Sequence, residues 1–401
     1  MINRPVAARE SLQDVQARIL EGARALDWAG YSKHDALNAP WLEAVAGRSR
    51  LLRLATIQLV MRSPIHIRPW IGVRRARDPK GLALFSRALL TRVRVLGDTE
   101  AAVEARALLD WLLEHPAPGF DELSWGYPYP WQDVGFFAPR HFPNRIVTSN
   151  VAQALMDGYE TLGELRYLEA AGSVVRFLLE APRTLYEDGT RRCVSYVPSE
   201  DVTWIVMDVS ALAGAAAARW AALTGNQAAM TEAGRLVRYV ASKQTPYGAW
   251  FYSEPPDASH ITHDNYHTGI ILDAILEYGG RSGTQEFMPA YRQGLDYYRE
   301  HLFDPDGAPR FMNHRRWPRD IHGAAQGIIT FSLAQTAIGQ GAETATRVLR
   351  WTLANMWDAE SAWFHYQKRR LGTLRIPLLR WGQAWMAYAL GVYLEHSGIA
   401  R

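Results

Sequence analysis

The densest group of chemically capable side chains is HITHDNYHTG, residues 260–269. His263 and His267 are four apart and share a helix face if the helix starts early enough; His260, Asp264 and Tyr266 lie beside them. Three chemistries fit this run. A polar helix start would use Asp264 or Asn265 as its cap and leave the histidines merely hydrogen-bonded. An acid–base centre would use His267, with Asp264 orienting the ring. A metal site would use His263 and His267 with a third ligand from elsewhere, although the run lacks the glutamate of H-E-x-x-H. Two other segments have the same character. WPRDIHGAAQ, 317–326, carries Asp320, His322 and Gln326, the last two on one helix face. SEDVTWIVMDVS, 199–210, carries Asp201 and Asp208. Asp208 and Asp264 facing each other would be the acid and base of a glycosidase, while a carboxylate such as Asp208 at a helix start is also favoured by the helix dipole.

Aromatic and polar residues gather in the same segments. Trp125, Tyr127 and Trp131, Tyr196, Tyr252 and Trp381 precede or flank the chemical residues, with Asn150, Asp320 and Gln383 near the helix starts. Many such rings must pin long loops. Mixed with Asp, Asn, Gln, Arg and His, they also suit a carbohydrate cleft, where flat rings stack on sugar faces and polar groups bind hydroxyls. Arg140, Arg145, Arg315, Arg316, Arg319, Arg375 and Arg380 fall there too. Each alone suits a salt bridge. Together they suit an acidic saccharide, because guanidinium pairs carboxylate in a bidentate way. Neutralising a uronate carboxylate acidifies its C5 proton. A base drawn from His267, Tyr196, Tyr252 or Tyr266 would then start epimerisation or β-elimination.

These segments recur. Aromatic, proline-containing stretches at 124–137, 193–204, 247–267, 310–322 and 362–381, three of them also with glycine, each precede an apolar helix rich in small residues and then a second helix. The first helices are expected near Asn150, Asp208, His267, His322 and Gln383, with a sixth near Leu84. Apolar spacing predicts helices over 149–162 and 165–180, the latter stopped by Pro182, and DVSALAGAAAARWAAL suits a crowded inner position. Strand signals such as ALFS and RCVSYV are short. Tandem hairpins must bury their apolar faces on their neighbours, in an open solenoid or a closed ring. Six hairpins with aromatic loops at one end favour closure. The expected fold is all-α, an (α/α)6 toroid. Residues 1–75 are read as N-terminal helices plus a basic segment that contribute to the toroid of 76–401.

Composition bounds the rest. The 401 residues are 48% hydrophobic, which excludes a disordered chain. One cysteine, Cys193, excludes an internal disulfide and any cysteine-based metal cluster. No long apolar run predicts a membrane span. The start, MINRPVAARESLQDVQ, lacks an apolar leader segment, so a cytoplasmic protein is expected. Phosphate-loop, dinucleotide-binding and nucleophile-elbow motifs do not occur, so no cofactor is expected. Residues 1–110 hold 18 Lys/Arg against 11 Asp/Glu. Much of that excess lies in RSPIHIRPWIGVRRARDPKG, 62–81, which reads as loop decoration or as contact with an anionic partner such as an inner-membrane surface. It is no nucleic-acid patch, because its arginines follow no helical face.

The segments GYSKHDALNAP (30–40), RSPIHIRPWIG (62–72), WGYPYPWQ (125–132), HDNYHTGIILDAILEY (263–278), DIHGAAQGIITF (320–331) and RIPLLRWGQAWMAYAL (375–390) together resemble the VpsJ-type polysaccharide biosynthesis proteins of bacterial exopolysaccharide clusters. More distantly, GAWFYSE followed by DNYH is similar to the catalytic toroid of glucuronyl C5-epimerases and to toroid glycosidases and lyases. The resemblance implies a toroid that makes or modifies a secreted glycan. Its partner would be an acidic oligosaccharide or a lipid-linked glycan, and the protein would be an enzyme or a glycan-binding scaffold of the synthesis machinery.

Overall fold

Helix starts follow capping chemistry. In the computed structural model, which describes residues 10–133, 135–181 and 183–396, Asp78 accepts the N–H groups of Lys80 and Gly81 at 3.0 and 3.3 Å, and Pro79 takes the first helical position. Asp98, Asn144, Asn226 and Asp320 cap other helices in the same way. Chain order begins with α1 (Leu12–Ala25), α2 (Pro40–Ala46) and α3 (Arg50–Arg62). Five hairpins follow: α4 (Pro79–Leu96) with α5 (Thr99–Glu114), α6 (Arg145–Leu162) with α7 (Leu165–Glu180), α8 (Met207–Thr224) with α9 (Gln227–Ser242), α10 (Asn265–Ser282) with α11 (Met288–His301), and α12 (Ile321–Ile338) with α13 (Ala342–Met356). A π-helical turn, Leu379–Ala384, leads into α14 (Trp385–His396).

The first helix of each hairpin is buried on nearly every side, and these helices touch one another in a closed cycle: α4, α6, α8, α10, α12, α14 and back to α4. The second helices form the outer layer, where α1 lies against α14. This is the expected (α/α)6 toroid. Small residues allow the close inner packing, as in the alanine-rich α8. Each 18-residue inner helix ends on a glycine at a φ of 66–75°, from Gly97 to Gly339. That left-handed cap reverses the chain into the outer helix.

Some expectations shift. ALFS, read as a strand, lies inside α4: a short apolar run cannot be told from a fully buried helix by periodicity. The inner helices near Leu84 and Asn150 start earlier, at Pro79 and Arg145, where Asp78 and Asn144 cap them. RCVSYV does hold a strand, Arg192–Val194, paired with Thr184–Glu187. Pro182 and the first nine residues lie outside the described residues.

The two ends of the ring differ. At the C-terminal halves of the inner helices, Asp157 of α6 takes Arg87 of α4 at 2.7 Å and Arg219 of α8 at 2.6 Å. Glu160 joins Arg219 and Arg281 of α10 to the same network. Long loops gather at the N-terminal ends. Two short antiparallel ladders tie neighbouring loops together there, Ile205–Val206 with Ser253–Glu254 and Arg319–Asp320 with Gln367–Lys368. Residues 35–73 form a satellite with its own core of Ala36, Leu37, Ala46, Ile57 and Val60.

Candidate active site

The N-terminal turns of the inner helices open into a cavity of about 800 Å³, a volume suited to a saccharide of a few rings. α4 contributes Lys80, α8 Asp208, α10 Tyr266 and His267, and α12 His322. Tyr127, Trp131, Tyr196, Trp204, Tyr252, Trp317, Tyr366 and Trp381 supply aromatic walls. The lining holds Lys33, Arg62, Lys80, Arg315, Arg369 and Arg380 against Asp133 and Asp208. Basic side chains thus outnumber carboxylates six to two along the lining.

His267 is the best-held titratable group. Its Nδ1–H donates to Asp264 at 2.8 Å, and its Nε2 stands 4.0 Å from Asp208. Asp264 occupies the N-cap position of α10 but makes no side-chain cap bond; its carboxylate goes to His267 instead. This distinguishes it from a plain capping residue. Burial disfavours a charged imidazole, but the charges of Asp264 and then Asp208 outweigh it, so the His267 pKa lies above 6.5. An acceptor carboxylate on Nδ1 leaves Nε2 as the working atom.

His322 is its opposite. The residue is 2% exposed, and neither Nδ1 nor Nε2 has a hydrogen-bond partner. Burial, with the nearby charge of Lys80, drives its pKa well below 6.5, so the ring is neutral. It stacks on Tyr266 with centroids 4.5 Å apart, meets Trp381 edge-on at 4.5 Å, and lies 4.6 Å from Trp385. Tyr266 also touches His267 at 4.2 Å, so one phenol ring serves both imidazoles as a wall.

Asp208 completes the centre. Its Oδ1 is buried without a partner, and burial raises the carboxyl against the opposing pull of His267 and Lys80. Lys80 lies against the Trp385 ring at 5.2 Å, and burial brings its ammonium down to about 7. Burial also pushes the phenols of Tyr196, Tyr252 and Tyr266 well above 10. They stay protonated at neutral pH.

The remaining expected site residues divide. Tyr127, Trp131, Tyr196, Tyr252 and Trp381 line the cavity, and Arg315 stands exposed at its rim. Arg380 lines it as well, although it is also held by Ser32 at 2.9 Å and paired with Asp78 at 3.0 Å. Trp125 does not reach the cavity: its indole N–H donates to the Leu112 carbonyl in the core. Asn150 returns its amide to the Ile146 carbonyl of its own helix. Gln383 bonds both backbone groups of Phe364. Asp320 stands behind the wall, accepting from His322 N–H, the Trp381 indole and Gln367, and so positions them. His263 turns away from His267, to Tyr247 and the Trp250 carbonyl, which separates the two proposed metal ligands. Arg145 and Arg319, read as substrate arginines, are buried in backbone and Asp304 contacts.

Lys33 and His34 were missed. Both line the cavity. The ammonium of Lys33 sits 4.0 Å over the Trp381 ring, and His34 stacks 6.0 Å from Trp131. Asp35 fixes their loop by accepting Ser32 N–H and pairing with buried Arg68 at 2.7 Å. The signal was an inward-turned Asp-Arg pair, which sequence spacing does not reveal. Lys80 lies in the basic stretch 62–81, and nothing in that sequence sets it apart from its arginine neighbours.

No protein-family model matches the sequence, and no curated protein matches it. Solved structures match in fold. A cellobiose 2-epimerase from Bacillus thermoamylovorans aligns with a TM-score of 0.62 at 12% identity, over 80% of this chain and 90% of that one. An unsaturated glucuronyl hydrolase specific for heparin aligns at 0.60 and 12%, over 97% and 98%. A D-mannose isomerase aligns at 0.60 and 10%, over 79% and 86%. At these identities the likeness establishes a shared α/α-toroid and nothing finer.

Proposed function

We propose that the protein is an enzyme that transfers protons on an acidic saccharide, by uronate epimerisation or β-elimination. The observation that carries this is the imidazole pair around Tyr266: His267 held towards its charged form by Asp264, and neutral His322 with two unpartnered nitrogens. A neutral imidazole accepts a proton and an imidazolium gives one. The cationic lining supports an anionic substrate, and aromatic walls support a sugar.

In the proposed reaction, a lining cation such as Lys80 or Lys33 neutralises the uronate carboxylate. His322 takes the C5 proton, and the electron pair moves into the carboxylate as an enediolate. Return of a proton from His267 Nε2 to the opposite face of C5 gives the epimer. Expulsion of the C4 oxygen, protonated by His267, gives an unsaturated uronate. The sequence resemblance to exopolysaccharide proteins supports a role in polysaccharide synthesis, as part of the same proposal. It is equally consistent with the fold shared with the sugar epimerase and the glucuronyl hydrolase. Hydrolysis is the second reading, favoured by Asp208, whose raised carboxyl suits a general acid.

The test is incubation with uronate oligosaccharides in deuterated water. Deuterium at C5 reports epimerisation, ultraviolet absorbance reports an unsaturated product, and new reducing ends report hydrolysis. His322→Ala and His267→Ala should each lower the rate by about 10²–10⁴-fold. Saccharide binding without any of the three products would replace the enzyme by a glycan-binding protein.

A further inference from the structure

The satellite carries an unusual outer surface. Six large apolar side chains there are more than half exposed: Trp41, Val45, Leu51, Leu59, Ile65 and Trp70. Elsewhere among the described residues, the four that are as exposed lie singly: Val103 and Leu165 on separate helices, Tyr247 and Leu371 in separate loops. Scattered exposed apolar residues are ordinary, but a cluster marks an interface.

α3 explains the cluster. Leu51, Ala55 and Leu59, spaced i, i+4 and i+8, are all exposed. Ile57 and Val60 pack into the satellite core, and Leu54, Gln58 and Met61 border the cavity. The helix is therefore apolar on its outer face as well as its inner one, where a water-facing helix would be polar. The charge around it is mostly positive; the one nearby carboxylate on α2, Glu43, pairs with Arg140 at 3.3 Å. Residues 44–77 hold eight arginines and no aspartate or glutamate. Arg68 and Arg77 are used in pairs with Asp35 and Asp27, while Arg48, Arg62 and Arg74 are exposed. Trp41 is fixed by its indole N–H donating 2.8 Å to the Ile71 carbonyl, beside Trp70 on the same loop.

We propose that this face docks on an anionic membrane surface. Leucines and indoles would enter the boundary between headgroups and acyl chains, and the arginine fringe would pair with lipid phosphates. The excess of positive charge argues against a second copy of the chain, because a two-fold contact would set arginine against arginine. No helix among the described residues is long and apolar enough to cross a membrane, so the docking is peripheral. Because the inner face of α3 is a cavity wall, docking brings the cavity to about one helix diameter, ~10 Å, from the headgroups. A saccharide carried on a lipid would then be within reach. The docking itself does not depend on which reaction the cavity performs.

The experiment is co-sedimentation of the full-length protein with vesicles of phosphatidylcholine alone and of phosphatidylcholine mixed with phosphatidylglycerol. Binding is expected to the mixed vesicles only, and to weaken with salt. Leu51→Glu with Leu59→Glu, two exposed positions whose change leaves the core intact, should lower it by at least about tenfold at unchanged Tm. Arg48→Glu with Arg74→Glu should lower it by a similar factor, at about 1 kcal/mol per cation removed from an anionic surface. Equal binding by parent and both variants overturns the proposal, as does absence of binding. A dimer in sedimentation equilibrium that the Leu51/Leu59 variant dissolves, with no vesicle binding, assigns the face to a second copy instead.

Discussion

At the scale of single residues, the proposed reaction turns on where His267 keeps its proton. Asp264 lies behind the ring and does not line the cavity, so it acts through His267 as a positioning residue. Asp264→Asn removes the larger of the two anionic influences that hold the ring charged, leaving burial to act on it. The limb of the pH–rate profile that belongs to His267 should move to lower pH, and kcat should fall on the order of 10²-fold with KM little changed. Stability gives an independent readout. A histidine raised in the folded state contributes stability that is complete below 6.5 and lost as pH rises through its folded value. The Tm gap between parent and Asp264→Asn should therefore be widest in mild acid and narrow as pH rises. An unshifted profile would reduce Asp264 to a structural residue. His267, Asp264, His322 and Asp208 were legible in the sequence because polar groups before small-residue helices recur at one period. The arginines were less so. A guanidinium in a mouth loop looks the same whether it meets a substrate or, like Arg145, the carbonyls of Leu178 and Ser195.

At the scale of elements, ring closure depends on how closely α14 approaches α4. A Cβ built on Gly391 of α14 would lie 2.0 Å from Oγ1 of Thr91 on α4 and 2.9 Å from the amide of Gln16 on α1. That amide donates to the Ala387 carbonyl, so three helices share the contact. Gly391→Ala should cost about 1–3 kcal/mol, read as a lower denaturation midpoint. Adding Thr91→Ala removes the nearest atom but leaves Cβ of residue 91 and the Gln16 amide each at 2.9 Å, so it should restore part of the loss. Failure of that rescue would place the strain elsewhere in the joint. The six-hairpin ring and its closing segment near 382–396 were legible, since the repeat spacing and small residues point to crowded inner helices. The π-helical turn Leu379–Ala384 was not. It swings Arg380 and Trp381 into the wall, and its sequence, LRWGQA, carries no local signal of a wider turn.

At the scale of the whole molecule, the toroid separates an end that opens into the cavity from an end closed by ion pairs. The aromatic loops made the cavity end visible in the sequence. The closed end was invisible, because Asp157, Arg87 and Arg219 occupy helix positions where charges usually face water. In the ring those positions converge: Asp157 is buried between two guanidiniums at 2.6 and 2.7 Å. Burial alone would raise its carboxyl, but Arg87 and Arg219 outweigh it and hold the pKa far below 3.8. Breaking such a pair leaves buried charge without compensation, which costs about 3–5 kcal/mol. Asp157→Asn should lose stability of that order at neutral pH. A depressed carboxylate contributes stability that is present above 3.8 and lost as pH falls through its folded value, so the gap to the parent should shrink in strong acid. The cavity lies at the opposite ends of the same helices, and its lining shares no residue with this network. Well below its melting temperature, Asp157→Asn should therefore keep the parent KM and kcat. If activity falls while the protein remains folded, the two ends of the ring are coupled through the inner helices, and the ion network belongs to the catalytic machinery as much as to the scaffold.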